Sequence, residues 1–349
     1  MPYAAVRAID YHLPARVLGN EELVRKLPNW TAEKVEEKTG ICTRYLAGEN
    51  ECASDLAVEA ARKLFLQGIC DPRDIDFLLF CTQSPDYLLP TTACLLQQRL
   101  DLPTTCGALD FNLGCSGFVY GLSLAKGLVE CGEARNVLLL TAETYSKHMD
   151  PSDFNVRTIF GDGAAATLVQ AASPDLQFGE PWIGPFVYGT DGRGKDTLIL
   201  RRGSLRADPH GGMGEGEPAD SENRRALFMD GPEIFSFTLK AVPESVRALL
   251  DKARLDLAQV DWFVFHQANR FMLEHLRKKL SIPVEKFVYA LSDCGNTVSS
   301  TIPIALSRAA ADGRLQPGQV IMLVGFGVGY SWSAALLRWW NGCSASADS

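Results

Sequence analysis

The sequence has little of what several classes of protein need. Basic residues are fewer than acidic ones (34 Lys and Arg against 42 Asp and Glu) and the formal net charge is -8 at pH 7, so we expect neither nucleic acid nor a membrane surface as the main partner. Uncharged apolar runs are short, and none reaches the roughly 18 residues of a transmembrane helix. Residues 1–7 also lack the layout of a signal peptide.

Cysteines are present but never in the spacing of a metal site. The ten cysteines include no Cys-x-x-Cys pair, so we expect no zinc site and no other metal. Ten cysteines without a signal peptide are typical of free thiols in a reducing compartment, so we expect a cytoplasmic location. Hydrophobic residues make up 46% of the 349 residues, which is enough for two core-forming units.

The pattern of apolar residues repeats along the chain. A first series predicts a strand at 76–84, a helix at 91–100, a strand at 107–112, a helix at 115–131 and a strand at 136–142. A second series predicts helices at 232–254, 269–280 and 296–312, which alternate with strands at 261–266, 286–290 and 319–325. Short apolar strands separated by helices are typical of the buried, mostly parallel sheets of an α/β protein.

The two series also match in length. The helix after Cys115 and the helix after Asn296 each reach a glycine after 17 residues, and each glycine leads into an apolar strand. We therefore interpret the chain as two copies of one unit, residues 1–175 and 231–349, joined by connecting and insertion loops at 176–230. Cys115 and Asn296 then hold equivalent places in the two copies.

Cys115 stands where a strand pattern gives way to a helix pattern. At a helix N-terminus the backbone N–H groups and the helix dipole favour a thiolate and can hold an oxyanion, as a nucleophilic cysteine requires. His266 ends an apolar strand, and strand ends in parallel sheets face crevices. Taken alone, Cys115 also fits a buried apolar residue, His266 a hydrogen-bonded core residue and Asn296 a helix N-cap. Together the three supply a nucleophile and two oxyanion donors.

Two further patterns have two interpretations each. The glycine-rich run Gly325–Trp332 is either a tight turn or a close backbone approach that offers an amide to an oxyanion. The basic residues Arg270, Arg277, Lys278 and Lys279 form either a solvated helix face or a docking patch for an acidic partner.

These motifs together resemble the thiolase superfamily, and most of all the β-ketoacyl-[acyl-carrier-protein] synthase III family. The matching strings appear in family order and are Gly114–Phe118, Ile159–Ala165, His266–Asn269, Gly295–Thr297 and Gly325–Trp332. The similarity runs from about residue 4 to residue 339. It implies a five-layered αβαβα thiolase-like fold of two pseudo-repeated halves, usually in a homodimer.

The resemblance also implies a role for each candidate residue. Cys115 accepts an acyl group from a thioester, and His266 and Asn296 bind the carbonyl of a malonyl thioester during its decarboxylation. The backbone N–H groups of Cys115 and Val328 hold the oxyanion that forms when the resulting carbanion attacks the acyl group. The substrates are acyl-CoA or acyl carrier protein and a malonyl thioester, and no metal or organic cofactor is implied.

Departures from the family pattern bear on the acyl donor. In housekeeping members a Trp and an Arg clamp the adenine of coenzyme A. Here Lys34 stands at the Trp position, Lys38 at a nearby Arg position and Phe154 at the clamping Arg position. The family's adenine sandwich is not reproduced, although Trp30 and Phe154 can stack in another way. This favours an acyl carrier protein as the donor.

Other departures concern the acyl pocket and the docking patch. Leu89 stands at the acyl-pocket gate, where a Phe is common, and indicates a different acyl chain. Lys278 and Lys279 match the carrier-docking residues of the family, whereas Phe271, with Arg270 beside it, replaces the Arg nearer the histidine.

We therefore expect a condensing acyltransferase of a specialised fatty-acid or polyketide-type pathway. Val328 replaces the middle glycine of a family triplet, but the chemistry needs only its N–H. An acyltransferase that passes the acyl group to a hydroxyl or amine without decarboxylation, or a non-catalytic partner subunit, is the alternative. Related proteins of the first kind often lose the Asn and those of the second the Cys, so the retained Cys115, His266 and Asn296 favour condensation.

Overall fold

The computed structural model describes residues 2–25, 30–172, 182–201 and 226–340. The strands are β1 (Tyr3–His12), β2 (Arg16–Gly19), β3 (Thr43–Leu46), β4 (Phe77–Cys81), β5 (Gly107–Phe111), β6 (Asn136–Glu143), β7 (Gly163–Ala172), β8 (Ile183–Thr190), β9 (Leu198–Leu200), β10 (Leu227–Met229), β11 (Trp262–Phe265), β12 (Val320–Gly327) and β13 (Ser331–Arg338). The α-helices are α1 (Asn20–Val24), α2 (Ala32–Thr39), α3 (Ala53–Leu66), α4 (Thr92–Arg99), α5 (Gly117–Glu130), α6 (Phe154–Arg157), α7 (Gly231–Ala253), α8 (Arg270–Lys279) and α9 (Thr301–Ala311).

The same sheet occurs once in each half of the chain. The first sheet has the order β1-β7-β6-β4-β5, in which β4 runs parallel to both β5 and β6 while β7 runs antiparallel to β6 and β1. The second has the order β8-β13-β12-β11, with β12 parallel to β11 and antiparallel to β13, and β8 antiparallel to β13. Phe287 forms a parallel bridge with Phe263 beyond β11, at the place that β5 takes in the first sheet.

The strand expected at 286–290 is therefore reduced to a single bridge, and this prediction is wrong. The Gln267 side chain explains the loss. Its amide nitrogen donates to the Val288 carbonyl (3.3 Å), and its carbonyl accepts from the Ala290 N–H (2.8 Å). These backbone groups are thus taken by a side chain rather than by a neighbouring strand.

The described elements stack in five layers. Helix α3 packs on the outer face of the first sheet, and α7 and α8 cover the outer side of the second. Helices α5 and α9 lie between the sheets and contact both. Their apolar faces, which include Phe118, Leu122, Ile302 and Leu306, form one core with both sheets. This is the five-layered αβαβα fold with two pseudo-repeated halves, so the predicted fold class is confirmed.

The segment 176–230 holds more than the connecting loops expected there. Strand β8 completes the second sheet, and β9 pairs antiparallel with β10. An apolar strand of eight residues with a proline and two glycines is easily taken for a loop in the sequence. Residues 176–181 and 202–225 lie outside the described residues, and the division of the chain at 175 and 231 remains a prediction.

Both central helices begin later than the sequence indicates. Helix α5 begins at Gly117 and α9 at Thr301, after a 3₁₀ turn at Val298–Ser300. Asn296 is held in extended backbone by the first half, because its N–H donates to the Ile159 carbonyl (2.9 Å) and its carbonyl accepts from the Gly161 N–H (3.0 Å). Cys115 and Asn296 thus lie in the turns that precede the two helices. Within the described part of the chain, no helix combines the length and apolar character needed to cross a membrane.

Candidate active site

Cys115 is buried in the turn between β5 and α5, against strand β12. A Cβ atom added to Gly327 would lie 2.9 Å from the Cys115 Sγ, and one added to Gly325 would lie 2.8 Å from the Cys115 carbonyl oxygen. The two glycines of β12 are therefore needed for the approach of this turn. Ser116 Oγ and Ser331 Oγ are 2.8 Å apart and bind the turn to the following strand.

Two backbone N–H groups lie near the thiol. Those of Cys115 and Val328 both act to lower the pKa of the Cys115 thiol. Among the described non-glycine residues a positive φ occurs only at Asp101, Arg254, Ser281 and Val298. Val328 thus has an ordinary φ, and the turn accepts it in place of glycine without backbone strain.

Burial outweighs these amides in the ligand-free protein. It raises the pKa of the Cys115 thiol from 9.0 to about 12, with a further rise from the nearby Glu143 carboxylate, while the two N–H groups act in the opposite direction. The thiol is therefore protonated at neutral pH. This corrects the expectation that the helix N-terminus favours a thiolate. Cys115 is only 5% exposed, and it precedes Ser116, the N-cap of α5.

His266 directly follows β11 and is buried between the two halves. Its N–H donates to the Val324 carbonyl (2.8 Å), and its ring lies edge-on to Phe326. Its Nδ1 lies 2.7 Å from the Thr301 hydroxyl. Burial lowers the pKa of the imidazole from 6.5 to about 3, so the ring is neutral at neutral pH.

Asn296 presents its amide to His266. Its Nδ2 lies 3.4 Å from His266 Nε2, and its Oδ1 accepts from the Val298 N–H at 2.9 Å. The latter bond fixes which end of the amide faces the imidazole. Since α9 begins at Thr301, Asn296 is not the N-cap of that helix.

The structure brings Cys115, His266 and Asn296 to one site. Val298 and Phe160 pack with Cys115 in one buried apolar cluster. Val298 is hydrogen-bonded to the Asn296 side chain, and Phe160 forms a parallel bridge with Asn296. The site therefore unites a thiol, two backbone donors, an amide and a neutral imidazole from both halves.

Glu143 is a buried site residue that the sequence analysis did not select. Its carboxylate accepts from the Gln83 N–H (3.0 Å), the Ser84 hydroxyl (3.1 Å) and the Ser299 hydroxyl (3.1 Å). Burial raises the pKa of this carboxyl to about 8 despite these bonds. One feature of the sequence could have pointed to Glu143, because it is an acidic residue at the end of the otherwise uncharged strand β6.

A cavity of about 470 Å³ adjoins the apolar cluster around Cys115. Its wall shares Tyr145, Leu198, Leu227 and Val328 with the apolar cluster around Cys115. It is lined by Gln83, Ser84, Pro85, Asp86, Tyr87, Leu88, Asn112, Tyr145, His148, Leu198, Ile199, Leu200, Leu227 and Val328. Mostly apolar walls with a few polar groups suit an acyl chain.

Leu89, the expected gate, does not line this cavity within one chain. Its neighbours Tyr87 and Leu88 do, while Leu89 is 86% exposed. A gate role for Leu89 remains a prediction that requires a second copy of the chain.

All four basic residues assigned to carrier docking lie on α8, and their docking role remains a prediction. Arg270 packs its side chain on Gly40 and places its guanidinium over Tyr289. Arg277 is half-buried, since it pairs with Glu274 (2.9 Å) and donates to a backbone carbonyl. Arg270, Lys278 and Lys279 are exposed, and Lys278 and Lys279 lie together at the C-terminal end of α8.

The expected donor entrance comes together in part. Lys38 Nζ lies 4.7 Å from the centre of the Trp30 ring, and the Trp30 and Phe154 rings are 6.3 Å apart and tilted by 35°. A planar base between two rings needs about 7 Å, so these rings leave no room for one. Lys34 lies one turn before Lys38 on the exposed face of α2. In the described ranges no three His, Cys, Asp or Glu side chains are grouped as metal ligands.

The duplicated five-layer fold, with its cysteine between the halves, defines a protein of the thiolase superfamily. Residues 109–192 match the family model described as 3-oxoacyl-[acyl-carrier-protein (ACP)] synthase III, and residues 250–339 match the model of its C-terminal part. The chain belongs to the 3-oxoacyl-[acyl-carrier-protein] synthase III family.

Individual relatives agree over nearly the whole chain. The β-ketoacyl-[acyl-carrier-protein] synthase III of Methylococcus capsulatus is 35% identical over 337 residues, which cover 97% of this chain and 99% of that protein. A crystal structure of a 3-oxoacyl-(acyl-carrier-protein) synthase III is 52% identical, with a TM-score of 0.91 and coverage of 97% and 100%. The corresponding Burkholderia xenovorans structure is 35% identical, with a TM-score of 0.89 and coverage of 97% and 94%.

Proposed function

We propose that this chain catalyses a decarboxylative Claisen condensation between an acyl group on Cys115 and a malonyl thioester. The observation that carries the proposal is the pair of nitrogens Asn296 Nδ2 and His266 Nε2, 3.4 Å apart, beside a buried thiol with its own pair of amide donors. The N–H groups of Cys115 and Val328 serve the acyl carbonyl attacked by the thiol, and the Asn296 and His266 nitrogens serve the carbonyl of the malonyl thioester.

In the first step Cys115 takes the acyl group from a thioester. The sulfur forms a bond to the acyl carbon, the donor's C–S bond breaks, and the thiol proton passes to the leaving thiolate. The intermediate oxyanion accepts from the N–H groups of Cys115 and Val328. Each such donor contributes about 3 kcal/mol to transition-state stabilisation.

In the second step the malonyl thioester loses carbon dioxide. The electron pair of the broken C–C bond moves onto the thioester carbonyl oxygen, which accepts from the Asn296 amide and the His266 imidazole. The resulting carbanion attacks the acyl carbon, the C–S bond to Cys115 breaks, and the thiolate takes a proton from water. A neutral, buried imidazole suits this role because it donates without bringing a net charge into the site.

For the donor we propose an acyl carrier protein rather than coenzyme A. The Trp30 and Phe154 rings contact each other, with Lys38 over Trp30, and leave no gap for an adenine between them. The exposed Lys278 and Lys279 offer positive charge to an acidic carrier. The thioesters are the only partners that the chemistry requires, with no metal or organic cofactor, and we place the reaction in a specialised cytoplasmic pathway.

We also propose that the chain acts as a homodimer. Strand β5 is an edge strand of the first sheet, and the loop Tyr87–Leu89 next to the cavity is apolar and exposed. Exposed strand edges and apolar loops are typical of interfaces between copies. In a dimer, Leu89 of one chain has a partner surface to contact.

The test starts with panels of acyl-CoA and acyl carrier protein, from which the acyl-enzyme is identified by peptide mass spectrometry. Malonyl carrier protein is then added. We expect an adduct on Cys115, faster from carrier protein, followed by a β-keto product. An acyl-Cys115 that transfers to a hydroxyl or amine without decarboxylation would assign the alternative acyltransferase. No adduct from any donor would assign a non-catalytic subunit.

A further inference from the structure

Thr301, the first residue of α9, is buried at the centre of the site and contacts His266 from behind. Its hydroxyl lies 2.7 Å from His266 Nδ1 and donates to the Val298 carbonyl at 3.1 Å. The hydroxyl is the side-chain partner of Nδ1 in the described structure. Thr301 does not face the reacting carbonyl, so any effect on the reaction acts through the imidazole.

Counting protons assigns the tautomer of the ligand-free ring. A neutral imidazole has one N–H and the Thr301 hydroxyl has one O–H. The Val298 carbonyl can only accept, so this contact and the contact to Nδ1 are both satisfied only when the Thr301 O–H donates to Val298 and the hydroxyl oxygen accepts from Nδ1–H. Nε2 is then left as an acceptor, which agrees with the Asn296 Nδ2 that faces it at 3.4 Å.

A bound carbonyl oxygen requires the opposite arrangement. If both nitrogens carried N–H groups aimed at each other across 3.4 Å, the groups would repel. The repulsion is relieved when both N–H groups donate to one shared acceptor. A thioester carbonyl oxygen is such an acceptor, and it needs the proton of His266 on Nε2. Nδ1 then needs a donor, which the Thr301 hydroxyl becomes by turning away from Val298.

Val298 connects this hydroxyl to Asn296. Its N–H donates to Asn296 Oδ1 and its carbonyl accepts from Thr301 Oγ1. Its φ is +56°, a conformation that a β-branched residue adopts only under strain. One strained residue thus orients both the amide and the hydroxyl that controls the imidazole.

We propose that Thr301 is a positioning residue that sets which nitrogen of His266 bears the proton, through a hydroxyl that bonds Val298 in the free protein and Nδ1 when a carbonyl is bound. The inference rests on the proposed function for its second state, whereas the first state is a property of the free protein. Only a group that both donates and accepts serves both states. A valine of the same shape serves neither, and a serine serves both.

The experiment compares the wild type, Thr301→Val and Thr301→Ser by ¹⁵N NMR of histidine-labelled protein, with His266→Ala to assign the signal among five histidines. In the free wild type and in Thr301→Ser we expect the Nδ1–H tautomer. In Thr301→Val we expect this preference to be lost. An Nε2–H tautomer in the free wild type, or an unchanged His266 signal in Thr301→Val, would overturn the proposal.

Kinetics of the two half-reactions provide the second readout. We expect Thr301→Val to slow decarboxylation at least about tenfold, with Cys115 acylation within about twofold of wild type. Thr301→Ser should restore decarboxylation to within about threefold. The matched control is Thr167→Val, which should change neither rate. It removes another buried hydroxyl, and that hydroxyl has no hydrogen-bond partner among the described residues. Equal decarboxylation in Thr301→Val and wild type would overturn the proposal.

Failure of the proposed function gives a different result. A wild type that never releases carbon dioxide contradicts the condensation itself, while the free-protein NMR still decides the role of Thr301. If Thr301→Val does not fold, the wild-type tautomer and the Thr301→Ser rates decide it. A wild-type Nδ1–H signal supports the role, and an Nε2–H signal rejects it.

Discussion

At the scale of single residues, burial keeps the reacting groups uncharged. It raises the pKa of Cys115 to about 12 and lowers that of His266 to about 3. Between these values the thiol and the imidazole are both neutral. The thiol and the imidazole therefore form no ion pair in the free site, and we expect the Cys115 proton to be lost during acylation rather than before it.

The raised pKa of Cys115 determines how alkylation depends on pH. Below its pKa the thiolate fraction of a cysteine rises tenfold per pH unit, so we expect the rate of Cys115 alkylation by iodoacetamide to rise about tenfold per unit from pH 7 to pH 9. Peptide mass spectrometry separates Cys115 from the other cysteines, and N-acetylcysteine serves as the reference. A rate that levels off below pH 8 would instead show a lowered pKa.

Cys115 and Asn296 could be selected from the sequence because each precedes a helix pattern of matched length in the duplicated series, and His266 because it ends an apolar strand pattern. These patterns were not sufficient for Glu143 and Thr301. These two act through contacts between distant segments, such as Glu143 with Ser299 and Thr301 with His266. No local spacing encodes such a pair.

At the scale of elements, turns rather than helices hold the chemistry. Helices α5 and α9 begin two and five residues after Cys115 and Asn296. Periodicity alone cannot locate these starts, because Asn296 is held in extended backbone by Ile159 and Gly161 of the other half. The Gly325–Trp332 run illustrates the same point, since Gly325 and Gly327 are explained by the approach of the Cys115 turn.

The turn after β12 can be tested through its N–H. Val328→Pro removes this donor, and we expect Cys115 acylation to slow by about 10²–10³-fold, the typical loss for one oxyanion donor. Gly327 before it is in an extended strand, which a following proline accepts. Val328→Gly keeps the N–H and should stay within about threefold of wild type. If the proline and glycine variants acylate equally fast, Val328 is not an oxyanion donor.

Helix α8 can be tested through its charge. Lys278→Glu with Lys279→Glu should raise the apparent KM for malonyl carrier protein by roughly tenfold at low salt, because both exposed cations face an acidic partner. The difference should shrink in 0.5 M salt, at which charges are screened within a few ångströms. The matched control is Arg62→Glu with Lys63→Glu, an equal charge change on α3 in the opposite outer layer. Equal KM values for the two double variants would remove α8 from the docking surface.

At the scale of the whole molecule, the duplication determines where the site lies. The two sheets share strand order and direction, and this could be inferred from matched helix lengths because both copies keep the same strand–helix alternation. Strand β8 was missed because its proline and two glycines are typical of a loop. The pairing of the halves places the turn with Cys115 opposite the turn with Asn296.

The assembly can be tested through Leu89. We expect sedimentation velocity to give a dimer for the wild type and a shift towards monomer for Leu89→Glu, because a charge buried at an apolar interface is costly. Leu66→Glu is the matched control, since Leu66 on α3 is 85% exposed against 86% for Leu89. A dimer that Leu89→Glu leaves intact would place the interface elsewhere.

The most direct test of the condensation is the stoichiometry of carbon dioxide release. Acyl-Cys115 enzyme is mixed with malonyl carrier protein labelled in its free carboxyl carbon, and labelled carbon dioxide and β-keto product are measured over a single turnover. We expect one carbon dioxide and one β-keto product for each acyl group lost from Cys115, with Asn296→Ala slowed about 10²–10³-fold. Loss of the acyl group from Cys115 without labelled carbon dioxide would contradict the account.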